Sequence, residues 1–236
     1  MAKIFQSIVL CLAVCGALAS PDCPESDGRF ASSEQCDAYT ECIDGVAAEK
    51  LCPDGLLFQQ RTKKYGDCTY APLASCKDRA RLQPANGTDE CPRQFGFYSM
   101  GDRTKCRAYR NCAHGEATIT KCAEGLAFNI ETYQCDWPDQ VEECDAEAYL
   151  GFTCPATDSI AEDNKEVDTN PEGELSYFRH PDSCKKYFVC VNGHPRLYNC
   201  GKYLAFSTET KSCDYYRNVP ECYARLQEKK DATRTA

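Results

Sequence analysis

The sequence is poor in histidine, in glycine and proline, and in basic residues relative to acidic ones. Its 27 Lys and Arg are outnumbered by 36 Asp and Glu, which gives a net charge of -9. A nucleic-acid-binding chain needs a basic face to neutralise phosphates, so that class of protein is excluded. The 14 Gly and 12 Pro are too few for collagen or a flexible low-complexity polymer.

Long hydrophobic runs are also lacking, except near the N-terminus. Lys3 precedes an apolar run over residues 8–14, and Ala17-Leu18-Ala19 then forms a small-x-small cleavage pattern. The run is shorter than the roughly 20 apolar residues that a membrane span needs. The sequence therefore predicts a signal peptide over residues 1–19 and a secreted protein without a membrane span.

Cysteine, by contrast, is abundant: the chain has 20, and two of them lie in the predicted signal peptide. An oxidising compartment would keep the other 18 in disulfides. The gaps between them are 12, 5, 9, 15 and 7 residues, then 14, 5, 9, 12 and 8, then 29, 5, 9, 12 and 8. Two constant gaps among variable ones indicate a rigid element with tolerant loops, repeated in three six-cysteine modules.

The second constant gap of each module carries a turn dipeptide. The three dipeptides are Asp44-Gly45, His114-Gly115 and Asn192-Gly193. A type I′ turn needs positive φ at both central residues, and these residue types accept it most readily. We therefore expect a β-hairpin in each module, with Ile43 paired to Val46 in the first and Cys52 opposite Asp37.

A Leu-x-Phe pattern follows the fourth cysteine of each module, and its alternation is typical of a half-buried strand. Its phenylalanines, which we expect in the core, are Phe58, Phe128 and Phe206. The stretch around the fifth cysteine is the expected partner strand. The predicted fold is small, disulfide-rich and mostly β, with three tandem six-cysteine modules that each contain short β-hairpins. Modules of this size bury little surface, so the disulfides are expected to supply most of the stability.

The predicted modules cover residues 20–78, 88–146 and 151–224. Polar linkers are expected over 77–90 and 145–153, and a mobile acidic loop over 158–174. A charged tail is expected over 225–236, and we expect the chain to fray from Tyr223 onward. Asn86-Gly87-Thr88 in the first linker is a candidate N-glycosylation site at Asn86.

The sequence gives no support for a metal site or for catalysis. The mature part has no C-x2-C pair, and its three histidines occupy no common position in the modules. Six cysteines per module leave no spare thiol nucleophile, and no G-x-S-x-G, H-E-x-x-H or P-loop pattern occurs. The sequence predicts no metal site, no cofactor and no enzymatic activity.

Aromatic residues do recur. One set lies between the second and third cysteines: Tyr39, Tyr109 and Tyr187. A second set follows the fifth cysteine: Tyr70, Trp137 and Tyr215. A third set precedes the second cysteine: Phe30, Tyr98 and Phe178. Exposed rings on a rigid scaffold could stack on the apolar faces of sugars, but a small core also needs aromatic rings. Strand parity does not decide whether Tyr39 is exposed.

Two stretches of the chain resemble the type 2 chitin-binding (peritrophin-A) domain. The first is His180-Pro181-Asp182-Ser183-Cys184-Lys185-Lys186-Tyr187-Phe188-Val189-Cys190-Val191-Asn192-Gly193, and the second is Cys135-Asp136-Trp137-Pro138. The triple array resembles the arthropod obstructor family, three-domain cuticular proteins analogous to peritrophins. The resemblance covers Cys23 to Cys222.

This resemblance implies a disulfide order that the spacing alone leaves open among 15 connectivities per module. The implied order pairs the first cysteine with the third, the second with the sixth and the fourth with the fifth. The implied bridges are Cys23–Cys42, Cys36–Cys76, Cys52–Cys68, Cys91–Cys112, Cys106–Cys144, Cys122–Cys135, Cys154–Cys190, Cys184–Cys222 and Cys200–Cys213.

The resemblance also implies binding to chitin through exposed aromatic residues with help from nearby polar groups, and the second set is among the positions implicated. We expect the first set to contribute as well. Many members carry another aromatic directly after the Tyr39 position. Here only Phe188 does, while Thr40 and Arg110 occupy the other two modules, which questions whether the modules bind equally.

The expected function is that of a secreted structural protein that binds and organises chitin in cuticle or another apical extracellular matrix. One alternative is a gut peritrophic-matrix protein. Another is a scaffold that recruits chitin-modifying enzymes, with chitin deacetylases or other matrix proteins as further partners.

Overall fold

The computed structural model describes residues 23–155 and 175–234. The predicted signal peptide (1–19) and the predicted acidic loop (158–174) lie outside these residues. The chain divides into two compact units, Met1–Pro84 with module 1 and Ala85–Ala236 with modules 2 and 3. None of the described helices has the length and apolar character to cross a membrane.

Each module consists of a three-stranded antiparallel sheet followed by a two-stranded hairpin. In module 1 the strands are β1 Gly28–Ala31, β2 Ala38–Ile43, β3 Val46–Leu51, β4 Leu57–Gln60 and β5 Gly66–Thr69. In module 2 they are β6 Gly96–Ser99, β7 Ala108–Ala113, β8 Glu116–Lys121, β9 Ala127–Asn129 and β10 Gln134–Asp136. In module 3 they are β11 Ser176–Arg179, β12 Lys186–Val191, β13 His194–Asn199, β14 Leu204–Ser207 and β15 Ser212–Tyr215.

The helical elements are short apart from the last. Three 3-10 turns follow the second hairpins, at Ala71–Leu73, Pro138–Gln140 and Tyr216–Asn218. Two α-helices end modules 2 and 3: α1 is Ala146–Leu150 and α2 is Pro220–Arg234.

The predicted hairpin turns are confirmed in all three modules. Positive φ occurs at Asp44 (51°) and Gly45 (78°), and at both residues of the two equivalent dipeptides. Ile43 pairs with Val46 as expected. The amide of Cys52 donates to the carbonyl of Asp37 at 2.7 Å, which places Cys52 opposite Asp37.

The first strand of each sheet was not expected from the sequence. In module 1, β1 pairs with β2 so that Phe30 lies opposite Thr40. These strands have four residues each and lie in the first cysteine gap, which varies in length. Four residues are too few to show a clear alternation of apolar and polar side chains, and the variable length of the gap gives no fixed position for the strand. The strand also forms only by pairing with a hairpin that lies later in the chain.

The second hairpin forms as predicted, with each Leu-x-Phe phenylalanine opposite the fifth cysteine. The pairs are Phe58 with Cys68, Phe128 with Cys135, and Phe206 with Cys213. The three rings are 0%, 3% and 0% exposed, which confirms them as core residues.

Nine disulfides connect the described cysteines, and every module follows the order first to third, second to sixth, fourth to fifth. The bridges are Cys23–Cys42, Cys36–Cys76, Cys52–Cys68, Cys91–Cys112, Cys106–Cys144, Cys122–Cys135, Cys154–Cys190, Cys184–Cys222 and Cys200–Cys213. This is the order that the family resemblance implies. The bridges also form part of the cores: Cys184 and Cys222 pack with Ala205 and Val219.

The predicted fraying of the charged tail is wrong, because α2 continues to Arg234. Its sequence explains the helix: Pro220 occupies the first turn, where its missing N–H costs no hydrogen bond, and Glu221 suits the positive end of the helix dipole. The residues that follow are mostly Ala, Arg, Leu, Gln, Glu and Lys, all good helix formers.

The linker predicted over 145–153 is also structured. The Asp145 carboxylate accepts from the Ala148 amide at 3.0 Å and caps α1, and Gly151, with φ 64°, follows the last helical residue, Leu150. Tyr149 packs on the module 2 core, and its hydroxyl donates to the Leu126 carbonyl at 3.0 Å. The segment is therefore part of module 2 rather than a free tether.

The linker predicted over 77–90 is also structured at its start. The amide of Gln83 donates to the buried Asp37 carboxylate at 2.8 Å, and the Arg79 guanidinium donates to the Phe58 carbonyl at 3.1 Å. A polar linker sequence can therefore belong either to a free tether or to a segment that donates hydrogen bonds to buried acceptors of the preceding module. Composition alone does not distinguish the two.

Candidate functional site

The aromatic residue after the fifth cysteine has the same backbone setting in all three modules. Tyr70, Trp137 and Tyr215 each cap a 3-10 turn, with φ of -68°, -62° and -59° and ψ of 153°, 141° and 142°. The ring is therefore held at the corner where the last strand ends. Tyr215 is 55% exposed, and the other two are partly exposed. This corner could present a ring to a ligand without any rearrangement of the backbone.

The tyrosine between the second and third cysteines lies against the core instead. Tyr39 stacks on Phe58 at 4.7 Å and 13°, Tyr109 on Phe128 at 4.2 Å and 17°, and Tyr187 on Phe206 at 4.4 Å and 10°. These three tyrosines remain partly exposed. Strand parity did not decide whether these tyrosines are exposed. In the structure each ring covers the core phenylalanine and also remains partly accessible at the surface.

Burial raises the pKa of Tyr187, and the neighbouring Tyr198 and Tyr177 act in the same direction. Its phenol is therefore neutral at physiological pH, so it can both donate and accept a hydrogen bond. Such a group suits the hydroxyl and amide groups of an uncharged sugar.

The third aromatic set is mainly structural. Phe30 is only 9% exposed, and Phe178 packs on Phe152 with ring centroids 5.4 Å apart. All three rings of this set lie on the first strands of the sheets, opposite Thr40, Arg110 and Phe188 respectively.

The residue directly after the Tyr39 position also has a structural role. Phe188 is 2% exposed and stacks on Phe152 at 4.3 Å and on His180 at 5.3 Å. In module 2 the equivalent Arg110 donates to the carbonyl of Glu90. Both side chains hold the segment just before the first cysteine of their module. Because Phe188 is buried, module 3 has no exposed ring at this position that modules 1 and 2 would lack. The position therefore gives no reason to expect unequal binding.

Trp137 differs from its equivalents because module 3 contacts it. The Tyr198 ring lies 4.8 Å from the indole, and the Arg196 guanidinium lies 5.3 Å from the indole centroid. Arg196 also donates to both carboxylate oxygens of Asp139, at 2.9 and 2.7 Å.

The Asp139 side chain is only 4% exposed. Its burial opposes ionisation, but the hydrogen bonds from Arg196 and Gln140 and the charge of Arg196 outweigh that effect and lower its pKa. The carboxylate is therefore charged at physiological pH and holds the Arg196 guanidinium in place.

A family model for the chitin binding Peritrophin-A domain matches residues 23–76, 91–144 and 171–222. Protein obstructor-E of Drosophila melanogaster is 71% identical over 233 residues, which cover 97% of this chain and 93% of the relative. The chain belongs to the obstructor family and carries peritrophin-A domains. This obstructor chain is also similar to Peritrophin-1 of Anopheles gambiae, at 29% identity over 60% of the chain and 99% of the relative. Chondroitin proteoglycan 2 of Caenorhabditis briggsae is 24% identical over 83% of the chain and 41% of the relative.

The most exposed aromatic among the described residues of the obstructor chain was left unassigned by the sequence analysis. Tyr203 is 69% exposed, and the Lys202 ammonium lies 5.2 Å from its ring centroid. Modules 1 and 2 have Gly55 and Gly125 at this position. The signal that could have revealed it was this replacement of a turn glycine by a large ring at the edge of the second hairpin.

A groove of about 600 Å³ borders the sheet of module 1. Tyr39, Thr40 and Lys50 contribute to its wall, and an ion pair of 2.8 Å between Arg81 and Glu34 lies at one side. Its size is within the range of small-molecule sites in proteins. Of the six predicted contact residues of this obstructor chain, Tyr39 lines this groove.

In the described ranges, no group of three or more His, Cys, Asp or Glu residues is placed to hold a metal ion.

Proposed function

We propose that this protein is a secreted, chitin-binding structural protein that organises chitin in cuticle or another apical extracellular matrix. The observation that carries the proposal is the repeated corner: three peritrophin-A modules hold Tyr70, Trp137 and Tyr215 in one backbone geometry on a disulfide-pinned scaffold. A polymer with a repeating sugar unit can contact such corners one after another.

The chemistry of the contact is dispersion and apolar burial rather than charge. An aromatic face covers the C–H face of a sugar ring, and neutral tyrosine hydroxyls supply hydrogen bonds to its polar edge. We assign the direct contacts to Tyr70, Trp137 and Tyr215. Tyr39, Tyr109 and Tyr187 are assigned as additional contacts through their partly exposed edges and hydroxyls.

The net charge of -9 is compatible with this ligand, because chitin is neutral. Partial deacetylation would make the polymer cationic and add a long-range attraction. Three modules on one chain also turn weak single contacts into stronger overall binding, since the second and third contacts are intramolecular.

Replacement of all three corner aromatics should abolish most of the binding. If each ring contributes about 1 kcal/mol, the variant Tyr70→Ala, Trp137→Ala, Tyr215→Ala should bind chitin beads on the order of a hundredfold more weakly. Retention on beads over a range of protein concentrations measures this.

The matched control replaces two exposed tyrosines that are not among the assigned contacts, Tyr65 and Tyr223, which are 61% and 44% exposed. Tyr65→Ala with Tyr223→Ala should bind like the wild type. If the folded triple variant is retained as well as this control, the assignment of the corner aromatics fails.

The similarity to Peritrophin-1, which this chain matches over 99% of the relative's length, favours the gut peritrophic matrix as a second candidate location. The binding chemistry would be the same in both tissues. Localisation of the protein with an antibody in gut lining and in epidermal cuticle distinguishes the two.

We also propose that Asn86 carries an N-linked glycan. Its side chain is exposed, and it lies ahead of the first cysteine of module 2 in an Asn-Gly-Thr sequon. Protein secreted from insect cells should shift in mobility after treatment with an N-glycosidase, and Asn86→Gln should lack this shift. Thr88→Ser keeps the sequon and should retain it. A wild-type protein that does not shift would contradict the assignment.

A further inference from the structure

The contact between modules 2 and 3 is made by two pairs of side chains with matching spacing. Arg196 and Tyr198 lie two residues apart on β13, while Trp137 and Asp139 lie two residues apart at the 3-10 turn of module 2. Arg196 donates to both oxygens of Asp139, and Tyr198 packs on Trp137. We call these four residues the joint.

Two further contacts support the joint from either side. The Lys186 ammonium on β12 pairs with the Glu124 carboxylate of module 2. Helix α1 of module 2 also contacts β13. Because Tyr149 anchors α1 to the module 2 core, this helix extends the contact beyond the four joint residues.

The joint residues are not required by the fold of a module. On the equivalent strands, the sheet registers place Ala48 and Thr118 where module 3 has Arg196. They place Lys50 and Thr120 where module 3 has Tyr198. Those modules form the same sheet without a guanidinium or a ring at these positions. The two side chains are therefore additions specific to module 3.

The polar pair of the joint is largely removed from water. The side chains of Arg196 and Asp139 are 18% and 4% exposed, and two parallel hydrogen bonds fix their relative orientation. The hydrogen bonds that Arg196 donates to Asp139 raise the pKa of Arg196, so both groups stay charged. Removing either partner leaves a poorly solvated charge, which makes a half-formed joint unfavourable.

On the basis of the proposed chitin binding, we infer that the joint holds modules 2 and 3 as one rigid tandem that presents Trp137 and Tyr215 to a single chitin strand in a fixed relation. Arg196, Tyr198 and Asp139 are then positioning residues, and Trp137 serves both as a contact and as part of the joint. A preorganised pair of sites loses less conformational freedom on binding than two sites on a flexible tether, so the rigid tandem favours long strands.

The test uses the full chain with Arg196→Thr and Tyr198→Thr together, which installs the threonines that module 2 carries at these two positions. Because module 2 folds with them, module 3 is expected to keep its sheet and its disulfides, as mass spectrometry and circular dichroism can verify. Arg61→Ala is the matched control, since its ion pair with Asp67 is exposed and lies in module 1.

The first readout is the fluorescence of Trp137, which is the single tryptophan of the chain. The double variant should shift its emission to longer wavelength and increase its quenching by acrylamide, while Arg61→Ala should not. An unchanged spectrum in the double variant would show that the joint does not form in solution and would overturn the inference.

The second readout is affinity for chito-oligosaccharides of two lengths, one that fills a single module and one that can span two. The double variant should bind the long ligand about tenfold more weakly than the wild type and the short ligand equally well. Equal affinity for the long ligand, despite a more exposed Trp137, would overturn the inference and leave chitin binding intact. A wild type that binds neither length would instead refute the proposed function.

Discussion

Replacing Cys184 and Cys222 together with alanine is expected to lower the free energy of unfolding of module 3 by about 4 kcal/mol. The bridge joins residues 38 apart in sequence, and closing so long a loop removes much conformational entropy from the unfolded chain. Small domains have a net stability of about 5 kcal/mol at the low end, so most of it would be lost. Both cysteines also pack in the core of the module, 8% and 0% exposed.

The matched control is the bridge of the same module with the shortest loop, Cys200–Cys213, which joins residues 13 apart. Its removal should cost about 3 kcal/mol, because the loop is shorter. Urea denaturation of the full chain, followed by circular dichroism and by Trp137 emission at the joint, measures both variants. If the variant without Cys200–Cys213 were the less stable of the two, loop length would not be the main source of the disulfide contribution.

The hairpins could be predicted from sequence because their determinants are local. A turn dipeptide such as Asp44-Gly45 fixes two backbone conformations, and the register of the flanking strands follows from the length of the turn. The core phenylalanines were predictable for a similar reason: alternation over three residues, as at Phe58, identifies the buried face of a strand.

The first strands and the joint could not be predicted, since both depend on contacts between distant residues. Phe30 belongs to a four-residue strand that forms only when the hairpin after it offers an edge. Arg196 and Asp139 are 57 residues apart, and neither lies in a pattern that refers to the other. Helix α2 was missed for another reason. A charged segment without a core can still be helical when its residues have high helix propensity.

The candidate site was predictable in its residue types but not in its geometry. The sequence marked both Tyr39 and Tyr70 as candidate contacts, and each lies within three residues of a cysteine. Only the structure shows that Tyr39 stacks on Phe58 while Tyr70 caps a turn at a strand corner. In module 3 the buried ring of Phe206 and the exposed ring of Tyr215 lie on the two strands of one hairpin, β14 and β15.

Phe206→Ala is therefore expected to destabilise module 3 by about 3–5 kcal/mol, the usual cost of removing a buried phenylalanine side chain. Phe206 is 0% exposed and stacks on Tyr187 at 4.4 Å, so its removal would leave a cavity and an unsupported ring. Denaturant unfolding of the full chain measures the loss.

Tyr215→Ala on the partner strand of the same hairpin is the matched variant. With the ring 55% exposed, it should change stability by less than about 1 kcal/mol while weakening retention on chitin. The stability measurement would then identify Phe206 as the residue that supports the fold, and the binding measurement would identify Tyr215 as the residue that contacts the polymer, although the two rings belong to adjacent strands. Should Tyr215→Ala destabilise the module as strongly as Phe206→Ala, the ring at the corner would belong to the core, and its assignment as a chitin contact would fail.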